Sequence, residues 1–253
     1  VKAIGWFIEE YGVAQISMNI TDTNATALHE AFEATRTSAT RRGLRVTGSE
    51  LVGMVPLQVL LDAGKYFLTK QQRSLGISEG EIIKIAVKSL GLDELGPFDP
   101  QQKIIEYQLR ADESTPLADM SLRAFADETA SESPAPGGGS IAAYVGALGA
   151  GLGSMVANLS SHKRGWDDRW AEFSEWAERG QVIKNELIAL VDRDTQAFEG
   201  VMAAFRLPKG SEDEKQARKD AIEQATKNAM AIPFQVMETA SKIFPLCRAM
   251  AET

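Results

Sequence analysis

An acid stands where a predicted helix should present an apolar side chain, and acids in cores can move protons. The stretch 185–205 carries apolar side chains at helical spacing, at Leu187, Leu190, Val191, Phe198, Val201, Met202 and Phe205. Asp194 lies three residues after Val191 and four before Phe198, so the pattern turns its carboxylate toward the core, whereas Asp192 lies well round the helix. A buried carboxylate needs a partner or must hold a proton, and an acid that holds a proton can serve as a general acid or base.

Two roles for Asp194 are compatible with this pattern. It forms an interhelical salt bridge or caps a neighbouring helix, which is a structural role, or it exchanges a proton with a substrate. Cations that could pair with it are Lys163, Arg164, Lys184 and Arg248.

A run of small residues from Ser133 to Leu159 contains the second candidate site. Gly137, Gly138 and Gly139 let the backbone turn where side chains would block it, and Ser140 stands at the position of an N-cap. A helix that starts there directs free N–H groups and its positive dipole end at the loop, where a flat anionic ligand could approach. A loop of purely structural importance before a buried helix is the alternative.

The apolar stretch 141–159 is also just long enough to cross a bilayer. Its Ala and Gly content, together with Ser154 and Asn158, argues against a membrane span. We therefore expect no membrane partner.

Composition limits the class of protein. The chain has 253 residues, of which 44% are hydrophobic and 25% charged, with a net charge of −8. These values are ordinary for a soluble globular protein, and the acidic balance argues against nonspecific nucleic-acid binding. Cys247 is the single cysteine, so neither a disulfide framework nor a cysteine-based zinc site is expected. Because a chain without disulfides fits a reducing compartment, we expect a cytoplasmic protein, and we expect no metal. Both ends resemble cuts, which indicates a piece of a longer protein.

The periodicity divides the chain into an α+β subdomain over 1–110, a linker over 111–117 and an all-α helical bundle over 118–253. The first part is predicted to form a small sheet with helices on one face. Its predicted strands are 3–8, 13–20 and 44–47, and its predicted helices are 25–42, 56–68 and 78–91. The predicted helices of the bundle are 117–129, 140–159, 166–205 and 211–244.

Four further residues are candidate ligand contacts. Ser49 and Glu50 lie in a loop between apolar stretches and either contact a ligand or are plain loop residues. Lys163 and Arg164 follow the small-residue helix, where cations suit the negative dipole end but could also hold an acidic ligand tail.

Several motifs resemble one family throughout the chain. PAPGGGS at the start of a small-residue helix, then LVDRDTQAF and MAAFRLPK, resemble the cyclodeaminase domain of the formiminotransferase-cyclodeaminase family. Upstream, IGWFIEEYGVAQISMN, TALHEAFE, VTGSELVGMVPLQVLLDA and PFDPQQKIIEYQLR resemble the C-terminal subdomain of its formiminotransferase domain.

The resemblance implies a bifunctional, folate-dependent enzyme of histidine degradation. Such enzymes transfer a formimino group from formiminoglutamate to tetrahydrofolate and then cyclise 5-formiminotetrahydrofolate to 5,10-methenyltetrahydrofolate with release of ammonia. It further implies polyglutamylated folate as the shared ligand and a homo-oligomeric ring in the cytosol.

The family's cyclodeaminase acid falls on Asp194, and its glycine-rich folate element falls on Pro136, Gly137, Gly138, Gly139 and Ser140. Its transferase histidine has no counterpart here, and by this resemblance we expect the first strand of the transferase subdomain and the last helices of the bundle to be missing from the chain. We therefore expect little transferase activity and weak cyclodeaminase activity from the chain as given. A methenyltetrahydrofolate cyclohydrolase and a noncatalytic oligomerisation module are the alternatives.

Overall fold

The computed structural model describes residues 1–110 and 115–252, which form two compact units. The first unit contains residues 1–72 and continues from Ser78 to the undescribed stretch. The second contains Arg73–Ile77 and the chain after that stretch. Residues 111–114 of the predicted linker lie outside the described residues.

The strands predicted at 3–8 and 13–20 are present, and they form an antiparallel hairpin. β1 (Lys2–Ile8) pairs with β2 (Val13–Asn19) in a register that runs from Lys2 opposite Asn19 to Ile8 opposite Val13. The predicted strand at 44–47 is wrong, because these residues adopt no regular structure. Leu44 is 61% exposed, so this short apolar run has no core face that would fix it beside a partner strand.

Helices supply the core of the first unit. They are α1 (Leu28–Arg41), α2 (Leu57–Lys70), α3 (Glu79–Leu90), α4 (Pro100–Lys103) and α5 (Ile105–Arg110). The core packs around Leu60, Ala63, Ile83 and Leu90, which are at most 2% exposed. The helix predicted over 78–91 is α3: Ser78 caps it by accepting the Glu81 N–H at 3.4 Å, and Gly91 ends it in the left-handed conformation.

The described part of the second unit is helical, as predicted. Its helices are α6 (Leu122–Thr129), α7 (Gly138–Ser161), α8 (Trp170–Phe205), α9 (Glu212–Ser241) and α10 (Ile243–Ala251), with a 3₁₀ turn at Asp167–Arg169. Several predicted boundaries differ. The helix predicted to begin at 117 begins at Leu122, and the helix predicted to begin at 166 begins at Trp170, after the 3₁₀ turn. The helix predicted over 140–159 spans Gly138–Ser161, and the helix predicted over 211–244 ends at Ser241, before α10.

Small residues let α7 and α8 approach closely, and this contact positions the candidate site. The buried face of α7 includes Ala143, Ala147, Ala150 and Ser154. A Cβ at Gly180 of α8 would lie 2.1 Å from the Ser154 hydroxyl oxygen, so a larger side chain there would force the helices apart. The start of α7 consequently lies beside the second half of α8.

α7 is also, among the described helices, one long and apolar enough to cross a membrane by length and composition alone. Core helices of soluble proteins share both features. Here one face of α7 is buried against its neighbours, and its outer face carries exposed apolar side chains at Val145, Leu148, Leu152, Met155 and Leu159.

Candidate active site

The first turn of α7 lacks a cap of its own. The helix begins at Gly138, and its N-cap is Gly137, which has no side chain. Ser140 is therefore the third residue of the helix, and its predicted role as N-cap is wrong. Its side chain is fully buried, and its hydroxyl donates to the Val191 carbonyl oxygen at 2.9 Å. Because Gly137 cannot accept a hydrogen bond through a side chain, the free N–H groups of this turn need an acceptor from elsewhere.

Asp194 of α8 supplies that acceptor. The Ser140 N–H donates to its Oδ2 at 2.9 Å, and the Ser140 hydroxyl lies 3.1 Å from the same oxygen. A carboxylate at this position also interacts favourably with the positive end of the α7 dipole. Asp194 thus caps a neighbouring helix, one of the two structural roles that the sequence left open. In the described part of the chain its hydrogen bonds come from Ser140, rather than from the four cations considered as partners.

Gly139 is the glycine of the triplet that this contact requires. A Cβ built on it would lie 2.2 Å from Asp194 Oδ1 and 2.5 Å from Asp194 Cγ, far inside van der Waals contact. At Gly137 the nearest atom, Asp194 Oδ2, would be 3.8 Å away, and at Gly138 nothing lies within 4 Å. The absent side chain of Gly139 is therefore what lets the carboxylate rest on the helix.

Asp192, and not Asp194, is the acid that points into the core, so the predicted orientation of the two is corrected. Asp192 is 4% exposed and accepts the N–H groups of Leu117 at 2.9 Å and Ala118 at 3.1 Å. Asp194 is only half-buried. The two residues project about 200° apart on the helix, so they serve opposite sides of α8.

The orientation of Asp194 was predicted wrongly because of the part of α8 that follows it. α7 begins beside Asp194, and the later members of the apolar stripe are uncovered, with Phe198 and Met202 41% and 40% exposed. The apolar stripe of α8 is buried only where α7 covers it. Asp194 lies at the end of the covered part, so its position in the stripe does not make it buried. Pro116 in the sequence indicates a turn, and the N–H groups of a turn need acceptors. This was the signal that a nearby acid such as Asp192 could be buried as an acceptor.

A surface cavity of about 270 Å³ opens beside the Asp194 carboxyl group. The loop before α7 and its first turn form one wall, α8 forms another, and α9 contributes Ala229. The lining residues include Pro134, Gly137, Gly138, Asp194, Thr195, Phe198 and Ala229. The cavity thus combines a carboxylate, a hydroxyl, an aromatic ring and the start of a helix, a set of groups able to position a ring and move a proton.

Lys163 and Arg164 lie beyond the opposite end of α7 from this cavity. The helix has 24 residues, which corresponds to a length of about 36 Å. The Lys163 ammonium lies 3.7 Å from the centre of the Trp166 ring, a cation–π contact. The neighbouring His162 has a lowered pKa, mainly because burial disfavours its charged form and further because Arg73 is near. The structure therefore does not bring these two cations to the glycine bend.

Ser49 and Glu50 belong to the first unit. The Ser49 hydroxyl donates to the Leu90 carbonyl oxygen at 2.6 Å, and its N–H donates to the Gly91 carbonyl oxygen at 3.0 Å, which fixes the loop on the end of α3. Glu50 is exposed. In the ranges 1–110 and 115–252, no group of three or more His, Cys, Asp or Glu side chains is arranged to hold a metal ion.

Comparison with known proteins covers both units. Residues 121–253 match the family model for formiminotransferase-cyclodeaminase, and residues 1–110 match that for the formiminotransferase domain. The matches define a chain in which a transferase-type domain precedes a helical domain. The chain belongs to the formiminotransferase-cyclodeaminase family.

Similar proteins show how much of the family's length is present. The chain is 40% identical to formimidoyltransferase-cyclodeaminase of Rattus norvegicus, over 100% of this chain and 47% of the relative. It is 35% identical to methenyltetrahydrofolate cyclohydrolase of Methylorubrum extorquens, over 52% of this chain and 64% of the relative. The chain is also similar to the crystal structure of formiminotetrahydrofolate cyclodeaminase from Thermotoga maritima, with 25% sequence identity and a TM-score of 0.35. This match covers 52% of the present chain and 76% of the Thermotoga maritima chain. The chain thus spans about half the length of the curated bifunctional relatives it matches.

Proposed function

We propose that this chain, within its complete gene product, serves a bifunctional folate-dependent enzyme of histidine degradation. One activity transfers the formimino group from formiminoglutamate to tetrahydrofolate. The other closes 5-formiminotetrahydrofolate to 5,10-methenyltetrahydrofolate and releases ammonia. Membership of the family supports both, and the observation that carries the second is the Asp194 carboxylate, which lies on the first turn of α7 and lines a cavity.

Asp194 is the acid and base of the ring closure. N10 attacks the formimino carbon and loses its proton, a C–N10 bond forms, and the imine nitrogen gains a proton and becomes an amine. Asp194, reprotonated from solvent, gives the amine one further proton. The bond between that carbon and the nitrogen then breaks, ammonia leaves, and the positive charge is shared by N5 and N10. Amines are poor leaving groups until protonated, so an acid beside the departing nitrogen lowers the barrier. A well-placed acid or base contributes on the order of 10²–10⁴ in rate.

The glycine bend binds the substrate through its backbone. Pockets that enclose small ligands typically have volumes of about 300–1,000 Å³, so a cavity of about 270 Å³ suits the reacting end of a folate while the rest extends over the surface. The Ser140 N–H is already bonded to Asp194. The N–H groups of Gly138 and Gly139 in the same turn are the donors we assign to the ligand.

The replacement Asp194→Asn in the complete gene product tests the proposal. We expect it to abolish ammonia release from 5-formiminotetrahydrofolate, because the amide can neither accept nor return the proton. Formimino transfer from formiminoglutamate should persist, and an unchanged helical signal in circular dichroism would show that the variant is folded. Normal ring closure by this variant would remove Asp194 from the mechanism.

A methenyltetrahydrofolate cyclohydrolase is the second candidate, and the relative from Methylorubrum extorquens that bears this name supports it. The two activities differ in their small product and reactant. A cyclodeaminase releases ammonia from 5-formiminotetrahydrofolate, whereas a cyclohydrolase consumes water as it opens 5,10-methenyltetrahydrofolate. Supplying each folate separately, while measuring ammonia and the methenyl absorbance, distinguishes them.

The remaining features of the proposal are polyglutamylated folate as the ligand, a cytoplasmic location and a homo-oligomeric ring. Lys163 and Arg164 are the cations we assign to an acidic tail that extends along the helical unit. The outer face of α7 supports self-association, since Leu148, Leu152 and Leu159 on it are 52%, 60% and 68% exposed. An apolar stripe of this kind is typical of a surface that another chain covers.

A further inference from the structure

The buried Ser140 hydroxyl has three oxygen neighbours. The Val191 carbonyl lies at 2.9 Å, Asp194 Oδ2 at 3.1 Å and Thr195 Oγ1 at 3.4 Å. A serine hydroxyl has one hydrogen to donate and two lone pairs to accept with. Carbonyl and carboxylate oxygens only accept, so the Ser140 hydrogen can satisfy Val191 or Asp194, but not both at once. Thr195 is the neighbour of the three that can donate to Ser140 when the carboxylate is ionised.

The two oxygens of the Asp194 carboxyl group differ in surroundings. In the described part of the chain, the Ser140 N–H and the Ser140 hydroxyl both approach Oδ2. In that same part of the chain, no donor approaches Oδ1, which is not among the buried atoms without a partner, and Asp194 lines the cavity. Oδ2 is therefore held by the protein, and Oδ1 is the oxygen left for a ligand.

We propose that Ser140 and Thr195 are positioning residues for Asp194, and that Oδ1 is the oxygen that exchanges the proton with the substrate. This inference rests on the proposed ring-closing function of Asp194. The Ser140 hydrogen turns to Oδ2 when the carboxylate is ionised and to the Val191 carbonyl when Asp194 carries the proton. Thr195, which is half-buried and lines the cavity, holds the Ser140 oxygen in place from the substrate side.

Variants of Thr195 in the complete gene product test the proposal. Thr195→Val removes the hydroxyl and keeps the shape, whereas Thr195→Ser keeps the hydroxyl and removes a methyl group. We expect the kcat of ring closure to fall about 3- to 10-fold in the valine variant, the effect of losing one hydrogen bond, with KM within about 2-fold of the wild type. The serine variant should restore most of kcat. Thr40→Val is the matched control, since the exposed Thr40 hydroxyl of α1 donates only to its own helix, to the Arg36 carbonyl at 2.9 Å.

The outcomes separate this inference from the proposed function. If Asp194→Asn abolishes ring closure while Thr195→Val leaves kcat unchanged, the positioning role is wrong and the proposed function stands. If Thr195→Ser loses as much kcat as Thr195→Val, or if a fall in kcat is matched by an equal rise in KM, the hydroxyl has no positioning role. If Asp194→Asn still closes the ring, the proposed function itself fails.

Discussion

Gly139→Ala tests whether the Asp194 carboxylate rests on the first turn of α7. The added Cβ would lie 2.2 Å from Oδ1, 2.5 Å from Cγ and 2.6 Å from Oδ2, so the whole carboxyl group must move away. The Ser140 N–H would then lose its charged acceptor. Since hydrogen bonds to charged groups contribute about 1.5–3 kcal/mol, while alanine is favoured over glycine within a helix by about 0.5–1 kcal/mol, we expect a net loss of about 1–2 kcal/mol in the free energy of unfolding.

Gly138→Ala is the matched control for stability. It makes the same substitution one residue earlier in the same turn, where an added Cβ meets nothing within 4 Å. Thermal unfolding followed by circular dichroism should place Gly139→Ala several degrees below this control, since each kcal/mol shifts Tm by about 2–4 °C in a chain of this size.

Activity supplies the second measurement for Gly139→Ala. In the proposed mechanism, a carboxylate displaced by the clash would no longer reach the departing amine, and misplacements of about 1 Å reduce rates about 10²-fold. Ammonia release should fall by about this factor while formimino transfer is retained. Equal Tm values for the two alanine variants, together with normal ring closure by Gly139→Ala, would refute the close contact between Gly139 and Asp194.

Three further predictions follow from other parts of the molecule. Asp192→Ala should lower the free energy of unfolding by about 2–4 kcal/mol in chemical denaturation, because two backbone N–H groups lose their acceptor; an unchanged midpoint would contradict this. Leu152→Lys on the outer face of α7 should leave Tm nearly unchanged and reduce the mass measured by light scattering, whereas an unaltered mass would argue against this face as the interface. Glu33→Gln should cost under about 1 kcal/mol at pH 7. The Arg36 hydrogen bond, followed by Lys70, lowers the Glu33 pKa from 4.5 to about 2. The stability difference between wild type and variant should therefore be complete above pH 4.5 and disappear as the pH falls through 2, which unfolding measured at several pH values would show.

Local signals predicted much of the fold. The apolar runs at 3–8 and 13–20 are the two paired strands, and the helix predicted over 78–91 is α3, which Ser78 and Gly91 bound. The strand expected at 44–47 failed because its apolar residues are few and strand formation depends on a neighbour that sequence periodicity does not reveal.

Two features of the candidate site could be found in the sequence, but their geometry could not. The sequence singled out Asp194 and the glycine bend, and the structure joins them through Ser140. It assigned the cap to Ser140 itself, because capping statistics describe a helix in isolation, whereas this cap comes from a side chain 54 residues later in the chain. The sequence pattern also predicted Asp194 to be buried instead of Asp192. The spacing of apolar residues along one helix does not show where the neighbouring helix ends.

The first turn of α7 is capped by Asp194, the same residue that we propose exchanges protons with the substrate. α7 has no acid of its own in its first turn, and the negative charge there is provided by Asp194. In the proposed ring closure this carboxylate takes up a proton, and the first turn would then lose the negative charge that faces its dipole. We expect the first turn to loosen at that moment and to tighten again once the charge returns, so that amide hydrogen exchange at Ser140, whose N–H the carboxylate accepts, would be faster during catalysis than at rest.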